Sequence, residues 1–340
     1  MEGMGKLFVT GGAGFIGSAF VRLALDQTPS CEVVNFDALT YAGNLDNLEG
    51  LDASRHRLVR GDICDRESVL AALEEGADAV INFAAESHVD RSIHSAHEFI
   101  RTNVVGTQVL LDAARERKVR RFVQVSTDEV MGSLPESDDA FFTEESPFAP
   151  NSPYSASKAA AEHLCRAAHH THGLDTVVTR CGNNYGPRQF PEKFLPLVIS
   201  NAMRDEAVPV YGDGRNVRDW IHVADHCRAV LAVIERGRPG NVYNIGARNQ
   251  RRNIEVAESV LKLLGKPPSL IRFVKDRPGH DRRYAINPTK IEAELGWRPL
   301  ESWEGGLEKT IRWYQENTEW VERAHSGAYR EYYAKQYGAI

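Results

Sequence analysis

Two sets of residues in this sequence have types and spacings suited to chemistry. The first lies in "VTGGAGFIGS", residues 9–18, where Gly11, Gly14 and Gly17 stand three apart. They join an apolar run, Lys6–Thr10, to an amphipathic run, Phe15–Asp26. Gly11 permits a tight strand-to-helix turn, Gly14 lets the backbone approach a pyrophosphate, and Gly17 allows close packing of helix on strand. The helix start then presents free N–H groups and a positive dipole end to the phosphates. Asp37 closes the next apolar run, Glu32–Phe36, about 20 residues on, where a carboxylate grips a ribose hydroxyl. An acid there repels a 2′-phosphate and so favours NAD over NADP. The second set is Tyr154-x-x-x-Lys158 in "SPYSASKAAAEH". Four residues apart on a helix, the two side chains share a face. A lysine there lowers the phenol's pKa, and the phenolate takes a proton from a sugar hydroxyl as hydride leaves the carbon.

The elements needed to hold these groups alternate regularly. Strands are predicted at Lys6–Thr10, Glu32–Phe36, Arg57–Arg60, Ala79–Phe83, Arg121–Ser126 and Thr176–Arg180. Helices fall between them at Phe15–Asp26, Asp65–Glu75, Thr102–Arg117 and Tyr154–His170. This pattern predicts an α/β fold: a Rossmann-type, doubly wound parallel sheet that binds ligands at the carboxyl ends of its strands. From Cys181 onward Pro and Gly clusters break the pattern. Helices are predicted at Lys193–Met203, Val223–Glu235, Ile254–Leu264 and Trp303–Arg323, and a strand at Val242–Ile245 is expected to return to the main sheet. The division expected is an NAD-binding domain with the catalytic residues, 1–180, and a smaller, interleaved nucleotide-sugar-binding lobe, 181–340. The acidic segment Pro135–Ser146 reads as a surface loop.

Composition narrows the classes. The chain has 340 residues, 42% hydrophobic and 26% charged, and a net charge of −6, which gives no reason to expect nucleic acid as a partner. No apolar run approaches a membrane span, and the first strand begins too early for a signal peptide. Five scattered cysteines (Cys31, Cys64, Cys165, Cys181, Cys227) read as reduced thiols of a cytoplasmic protein. The twelve histidines form no ligand pattern, so no metal is expected; His169, His170 and His172 read as solvated or capping.

The chain resembles the extended short-chain dehydrogenase/reductases, and within them the nucleotide-sugar 4,6-dehydratases of the dTDP-glucose type. The resemblance spans nearly the whole chain, through "TGGAGFIGS", "FDALTYAGNL", "GDICD", "FAAESHVDRS", "TNVVGT", "STDEV", "SPYSASKAAAEH", "TRCGNNYGPRQFPEK", "VYGDGRNVRDWIHVADHCRA", "YNIG" and "DRPGHDRRYAI". It gives a reason for Asp128-Glu129, two adjacent carboxyls placed just past a strand despite their repulsion. Once a sugar's C4 is a ketone, loss of water across C5 and C6 needs a base and an acid, and carboxyls with split pKa values suit both tasks. The resemblance implies Glu129 as base, Asp128 as acid and Thr127 on the C4 oxygen, beside Tyr154 and Lys158. It implies NAD contacts from Gly11, Gly14, Phe15, Ile16, Gly17, Asp37, Thr40, Asp62, Ile63, Phe83, Ala84, Ala85, Ser87, Thr102, Tyr154, Lys158 and Asn184. Asp62 either accepts from the adenine amine or caps the helix near Asp65. It implies nucleotide-sugar contacts from Ser87, Thr127, Asn183, Lys193, Phe194, Pro209, Tyr211, Arg218, Asn253, Arg277 and His280. A homodimer through the Thr102–Arg117 and Ala159–His170 helices is also implied.

Three positions depart from the family pattern: Met131 where tyrosine is expected, Gly182 where serine is expected, and Arg188 where an aromatic residue or histidine is common. They bear on sugar and nucleotide preference more than on reaction class. A nucleotide-sugar 4-epimerase shares the glycine turn and the Tyr154–Lys158 pair but has no use for Asp128-Glu129. A non-catalytic NAD-binding regulator has no need of Tyr154 and Lys158. One methyl separates thymine from uracil, so a UDP-sugar stays open as substrate.

Overall fold

The computed structural model describes residues 5–136 and 139–325. Ser137 and Asp138 of the acidic segment, and residues 326–340 of the second half, lie outside the described residues. The strands are β1 (Lys6–Thr10), β2 (Glu32–Asp37), β3 (His56–Arg60), β4 (Ala79–Asn82), β5 (Arg121–Thr127), β6 (Thr176–Cys181), β7 (Asn183–Tyr185), β8 (Val208–Tyr211), β9 (Val217–His222), β10 (Val242–Ile245), β11 (Gln250–Arg252) and β12 (Ile271–Val274). The helices are α1 (Phe15–Gln27), α2 (Arg66–Ala72), α3 (Val89–His94), α4 (His97–Phe99), α5 (Thr107–Glu116), α6 (Pro153–His172), α7 (Phe194–Met203), α8 (Val223–Arg236), α9 (Asn253–Leu263), α10 (Thr289–Leu295), α11 (Trp303–Glu316) and α12 (Thr318–Ala324).

Seven strands form one parallel sheet in the order β10-β6-β5-β4-β1-β2-β3. The strand order reverses between β1 and β4, which opens a crevice at their carboxyl ends. β1, β4, β5 and β6 are apolar runs because both faces are covered. On one face α1 and α8 bury Phe20, Val21, Val230 and Val233; on the other α2, α5 and α6 bury Val69, Leu110, Leu111 and Cys165. A third core gathers α7, α9, α11 and α12 around Val198, Val260, Ile311 and Trp320. Two small sheets, β11-β9-β7 and β12-β8, complete the second half.

Helix ends follow their local chemistry. Asp65 accepts from the backbone of Glu67 and Ser68 and starts α2 one residue later than predicted. Ser152 and Ser155 cap α6 reciprocally, Pro153 opens its first turn, and Gly173 ends it at φ +68°. This fixes Tyr154 and Lys158 in the first two turns. The helix predicted over Thr102–Arg117 is not uniform: Ile100–Gly106 is a π-helical segment leading into α5. The widened turn lets Asn103 bond the Glu86 N–H and C=O and the Ser157 hydroxyl. The Trp303–Arg323 helix breaks at Asn317, whose side-chain amide donates to the Trp313 carbonyl, while Trp320 donates to Asn47. The acidic segment is more than surface loop, because Phe142 is buried and bridges to Ile286.

β5, β6 and α6 are joined by a buried ion pair. Arg180 donates to both oxygens of Glu162, at 2.8 and 3.0 Å to one of them, and Ser126 donates to the same carboxylate at 2.6 Å. Both side chains are 3% exposed. Glu162→Ala strands the Arg180 charge and is expected to cost about 3–5 kcal/mol, read as a lower denaturation midpoint. Replacing both partners by methionine is expected to recover most of that loss; a double variant as unstable as the single one contradicts this account.

Candidate active site

One cavity of about 400 Å³ runs along the carboxyl ends of β1, β2, β4, β5 and β6. At its floor the chain turns from β1 into α1. A Cβ on Gly11 (φ +69°) meets the Ala84 backbone at 2.7 Å, and one on Gly17 meets the Gly11 carbonyl at 2.2 Å. Gly14 caps α1 without a side-chain bond, and no acid sits in the first turn. This open helix start beside bare backbone fits a dinucleotide's phosphates. Asp37 accepts the Ala13 and Leu39 N–H groups, each at 2.8 Å; burial raises its pKa and those bonds oppose the rise. Asp62 accepts from Cys64 N–H and from Arg101, so the helix cap falls to Asp65.

The cavity brings together every residue proposed for NAD: Gly11, Gly14, Phe15, Ile16, Gly17, Asp37, Thr40, Asp62, Ile63, Phe83, Ala84, Ala85, Ser87, Thr102, Tyr154, Lys158 and Asn184. Thr127, Asp128, Glu129, Asn183, Lys193 and Phe194 also line it. Pro209, Tyr211, Arg218, Asn253, Arg277 and His280 do not. Tyr211 and Arg277 meet at Asp90 on α3, His280 packs edge-on to Tyr211 with ring centres 6.0 Å apart, and Arg218 donates to the Asp281 carbonyl. Asn253 starts α9 with its N–H on the Asn216 carbonyl, and Pro209 lies buried within β8. This cluster adjoins the cavity, since the charges of Arg277 and Arg218 act on Glu129.

The two carboxyls are held unequally. Thr127 donates to Asp128 and accepts from the Glu129 N–H, each at 3.3 Å. Burial and then the neighbouring Glu129 push Asp128 well above the usual carboxylate range, and its Oδ2 is buried without a partner. Burial raises Glu129 too, but Arg277, Arg218 and Lys193 oppose the rise. The surroundings therefore favour the neutral form more strongly at Asp128 than at Glu129, which has three cations to offset its burial.

Tyr154 and Lys158 are both buried at the start of α6. Burial, then Glu129, raise the Tyr154 phenol well above its ordinary value, and a Thr127 hydrogen bond opposes this only in part. Lys158 lies one turn on, with its ammonium donating to the Val125 carbonyl at 2.6 Å. Burial lowers Lys158 itself to about 8.

Several residues of the site carried no assigned role in the sequence. Tyr41 donates to Glu192 at 2.9 Å across the cavity, with the Arg91 guanidinium 3.9 Å above its ring centre. His226 Nδ1 donates to the Asn184 side-chain oxygen at 2.8 Å, and Asn184 Nδ2 in turn donates to the Gly182 carbonyl. All lie in stretches quoted above, "FDALTYAGNL", "FPEK", "SHVDRS" and "HVADH"; a buried polar residue in such a stretch was the available signal. Of the departures, Gly182 leaves no room for serine, as a Cβ there meets the Asp219 carbonyl at 2.5 Å. Met131 is buried with its sulfur 3.5 Å from Arg180 Nη1, and Arg188 lies over Trp313.

A family model described as GDP-mannose 4,6 dehydratase matches residues 8–310. The chain belongs to that family. Its members include relatives at close range. A dTDP-glucose 4,6-dehydratase of Xanthomonas campestris pv. campestris (strain B100) is 52% identical over 347 residues, spanning 96% of this chain and 98% of the relative. The crystal structure of a dTDP-glucose 4,6-dehydratase from Streptomyces venezuelae, with NAD and TYD bound, superposes with a TM-score of 0.90 at 51% identity, covering 94% of this chain and 99% of that one. A UDP-glucose 4-epimerase of Thermus thermophilus in complex with NAD superposes at 0.85 with 30% identity, covering 92% and 99%. These findings agree with the resemblance seen in the motifs and with a doubly wound α/β fold.

Lys158 gives a direct test in solution. Between about 8 and 10.5 the unfolded chain holds a lysine proton that the folded chain has released, so this group makes stability rise with pH across that window. Lysine-selective NMR is expected to show one ammonium titrating near pH 8 that disappears in Lys158→Met. If Lys158 titrates above pH 10, the burial argument fails.

Proposed function

We propose that this chain is an NAD-dependent hydro-lyase that converts dTDP-glucose to its 4-keto-6-deoxy sugar. The observation that carries the reading is Asp128-Glu129: one buried and one half-buried carboxyl in contrasting charge surroundings beside Tyr154, at the end of β5. The Thermus UDP-glucose 4-epimerase shares the fold, but inversion at one carbon needs no such acid–base pair. The relatives named for dTDP-glucose support thymidine as the nucleoside.

The α1 turn would hold the pyrophosphate of NAD, Asp37 the ribose and Asn184 the nicotinamide end. NAD, when bound, accepts a hydride from C4 and later returns it to C6, so the reaction has no net redox change. Tyr154 takes the proton of the C4 hydroxyl, and Thr127 bonds the same oxygen. Burial opposes ionisation of the phenol, so its proton must leave before it serves as base, and the positive charge of Lys158 one turn away favours the phenolate form. With C4 a ketone, Glu129 removes the C5 proton. Asp128 protonates the C6 hydroxyl, which leaves as water. Lys193, Arg218 and Arg277 supply the cations that a diphosphate requires, and Arg offers two parallel donors to its oxygens.

We assign NAD binding and catalysis to residues 1–180 and nucleotide-sugar binding mainly to residues 181–340. The pairing of β10 with β6 supports an interleaved second lobe. A homodimer through α5 and α6 is supported by Ile100 and Val105, large apolar side chains exposed on the π-helical segment that leads into α5. Cytoplasmic residence is supported by five free thiols, and no helix among the described residues is long and apolar enough to cross a membrane.

Incubation with dTDP-glucose in heavy water is expected to give a product lighter by one water and deuterated at C5. Glu129→Gln is expected to lose about 10²–10⁴ in rate, with Asp128→Asn losing less where water can serve as the acid. A product of unchanged mass with C4 inverted establishes the epimerase instead. Glu129→Gln turning over at the wild-type rate removes the role of the pair.

A further inference from the structure

Asp90 stands in "SHVDRS", and no step above uses it. It lies on α3 in the first half of the chain, with its side chain 6% exposed. Both carboxylate oxygens are engaged by side chains from the second half. Oδ1 accepts from Arg277 Nη1 at 2.9 Å, and Oδ2 accepts from the Tyr211 hydroxyl at 2.9 Å. Tyr211 ends β8 and Arg277 follows β12. Arg277 keeps a buried Nε with no hydrogen-bond partner, a donor left over beside Glu129.

A carboxylate here has an electrostatic cost, because it offsets the attraction of Arg277 for an anionic ligand. Its compensation is order. Arginine has many rotamers, and an unbraced guanidinium would fold onto the nearest anion, which in this site is Glu129. Pinning one guanidinium nitrogen to Asp90 holds Arg277 off the base and leaves its remaining donors fixed in direction. The same carboxylate fixes the phenol whose ring packs against His280. We propose that Asp90 is a positioning residue for substrate, bracing Arg277 and Tyr211 so that together they receive the nucleoside diphosphate. This rests on the reading above, in which both side chains contact the nucleotide sugar. Ordering two such side chains in advance is worth about 5- to 150-fold in affinity.

The test uses the full chain loaded with NAD, with dTDP as the probe in calorimetry. Asp90→Ala is expected to weaken dTDP about tenfold or more and to raise KM for dTDP-glucose in step, while kcat falls by a smaller factor. Bound NAD, released by heat and quantified, is expected to stay at the wild-type level, since Asp90 does not line the cavity. In an Arg277→Ala background the same change is expected to cost less, because the side chain it braces is gone. Asp90→Glu keeps the charge but displaces it by one methylene, and it is expected to weaken dTDP several-fold; it also serves where the alanine variant does not fold. Wild-type dTDP affinity in either Asp90 variant, or additive losses in the Arg277→Ala background, overturns the proposal. If the wild type itself binds no dTDP, the reading of Arg277 and Tyr211 as substrate contacts falls first, and this inference with it.

Discussion

A single buried carboxylate ties together the elements that carry the chemistry. Glu162 sits one turn beyond Lys158 on α6 and accepts from Ser126, the residue just before Thr127-Asp128-Glu129. Its remaining capacity is taken by Arg180 of β6, whose guanidinium also lies over Phe148 and reaches the Glu144 carbonyl. Removal of either charge leaves the other in a medium that cannot solvate it. The pair therefore fixes the distance between the acid–base loop and the Tyr154 helix. Through Ser126 it also fixes the direction in which β5 delivers its carboxyls.

With the groups fixed, burial does most of the electrostatic work. It raises Asp128, Glu129 and Tyr154 and lowers Lys158, each toward its uncharged form. Differences then come from neighbours. Arg277, Arg218 and Lys193 face Glu129, whereas Asp128 has Glu129 itself as its largest charged neighbour. Two chemically similar side chains thus acquire different electrostatic settings, as the acid and base roles proposed for them require. The three cations arise outside the sheet, so the second half of the chain sets the chemistry of the first.

The sheet and its crevice were legible because parallel strands buried on both faces read as apolar runs, and because glycines spaced by three leave few alternatives at β1–α1. The cavity-lining residues followed from the same motifs. What was not legible depends on contacts between distant segments. The π-helical segment exists because Asn103 satisfies Glu86 and Ser157, and periodicity alone predicts a continuous helix there. The break at Asn317 depends on a side chain bonding its own helix. The Tyr154–Lys158 spacing is legible, but the Val125 carbonyl that engages Lys158, 33 residues away, is not. Asp90 and Glu192 were visible as letters but not as partners of Arg277 and Tyr41.

The bond between Tyr41 and Glu192 links residues 151 apart in sequence. The loops they belong to supply two walls of the cavity, one through Thr40, Ala42 and Gly43, the other through Phe190, Glu192 and Lys193. A molecule seated between those walls is held by a contact that must part before they can separate. The cavity between those walls is thus shaped jointly by both halves of the chain, and neither half alone encloses it.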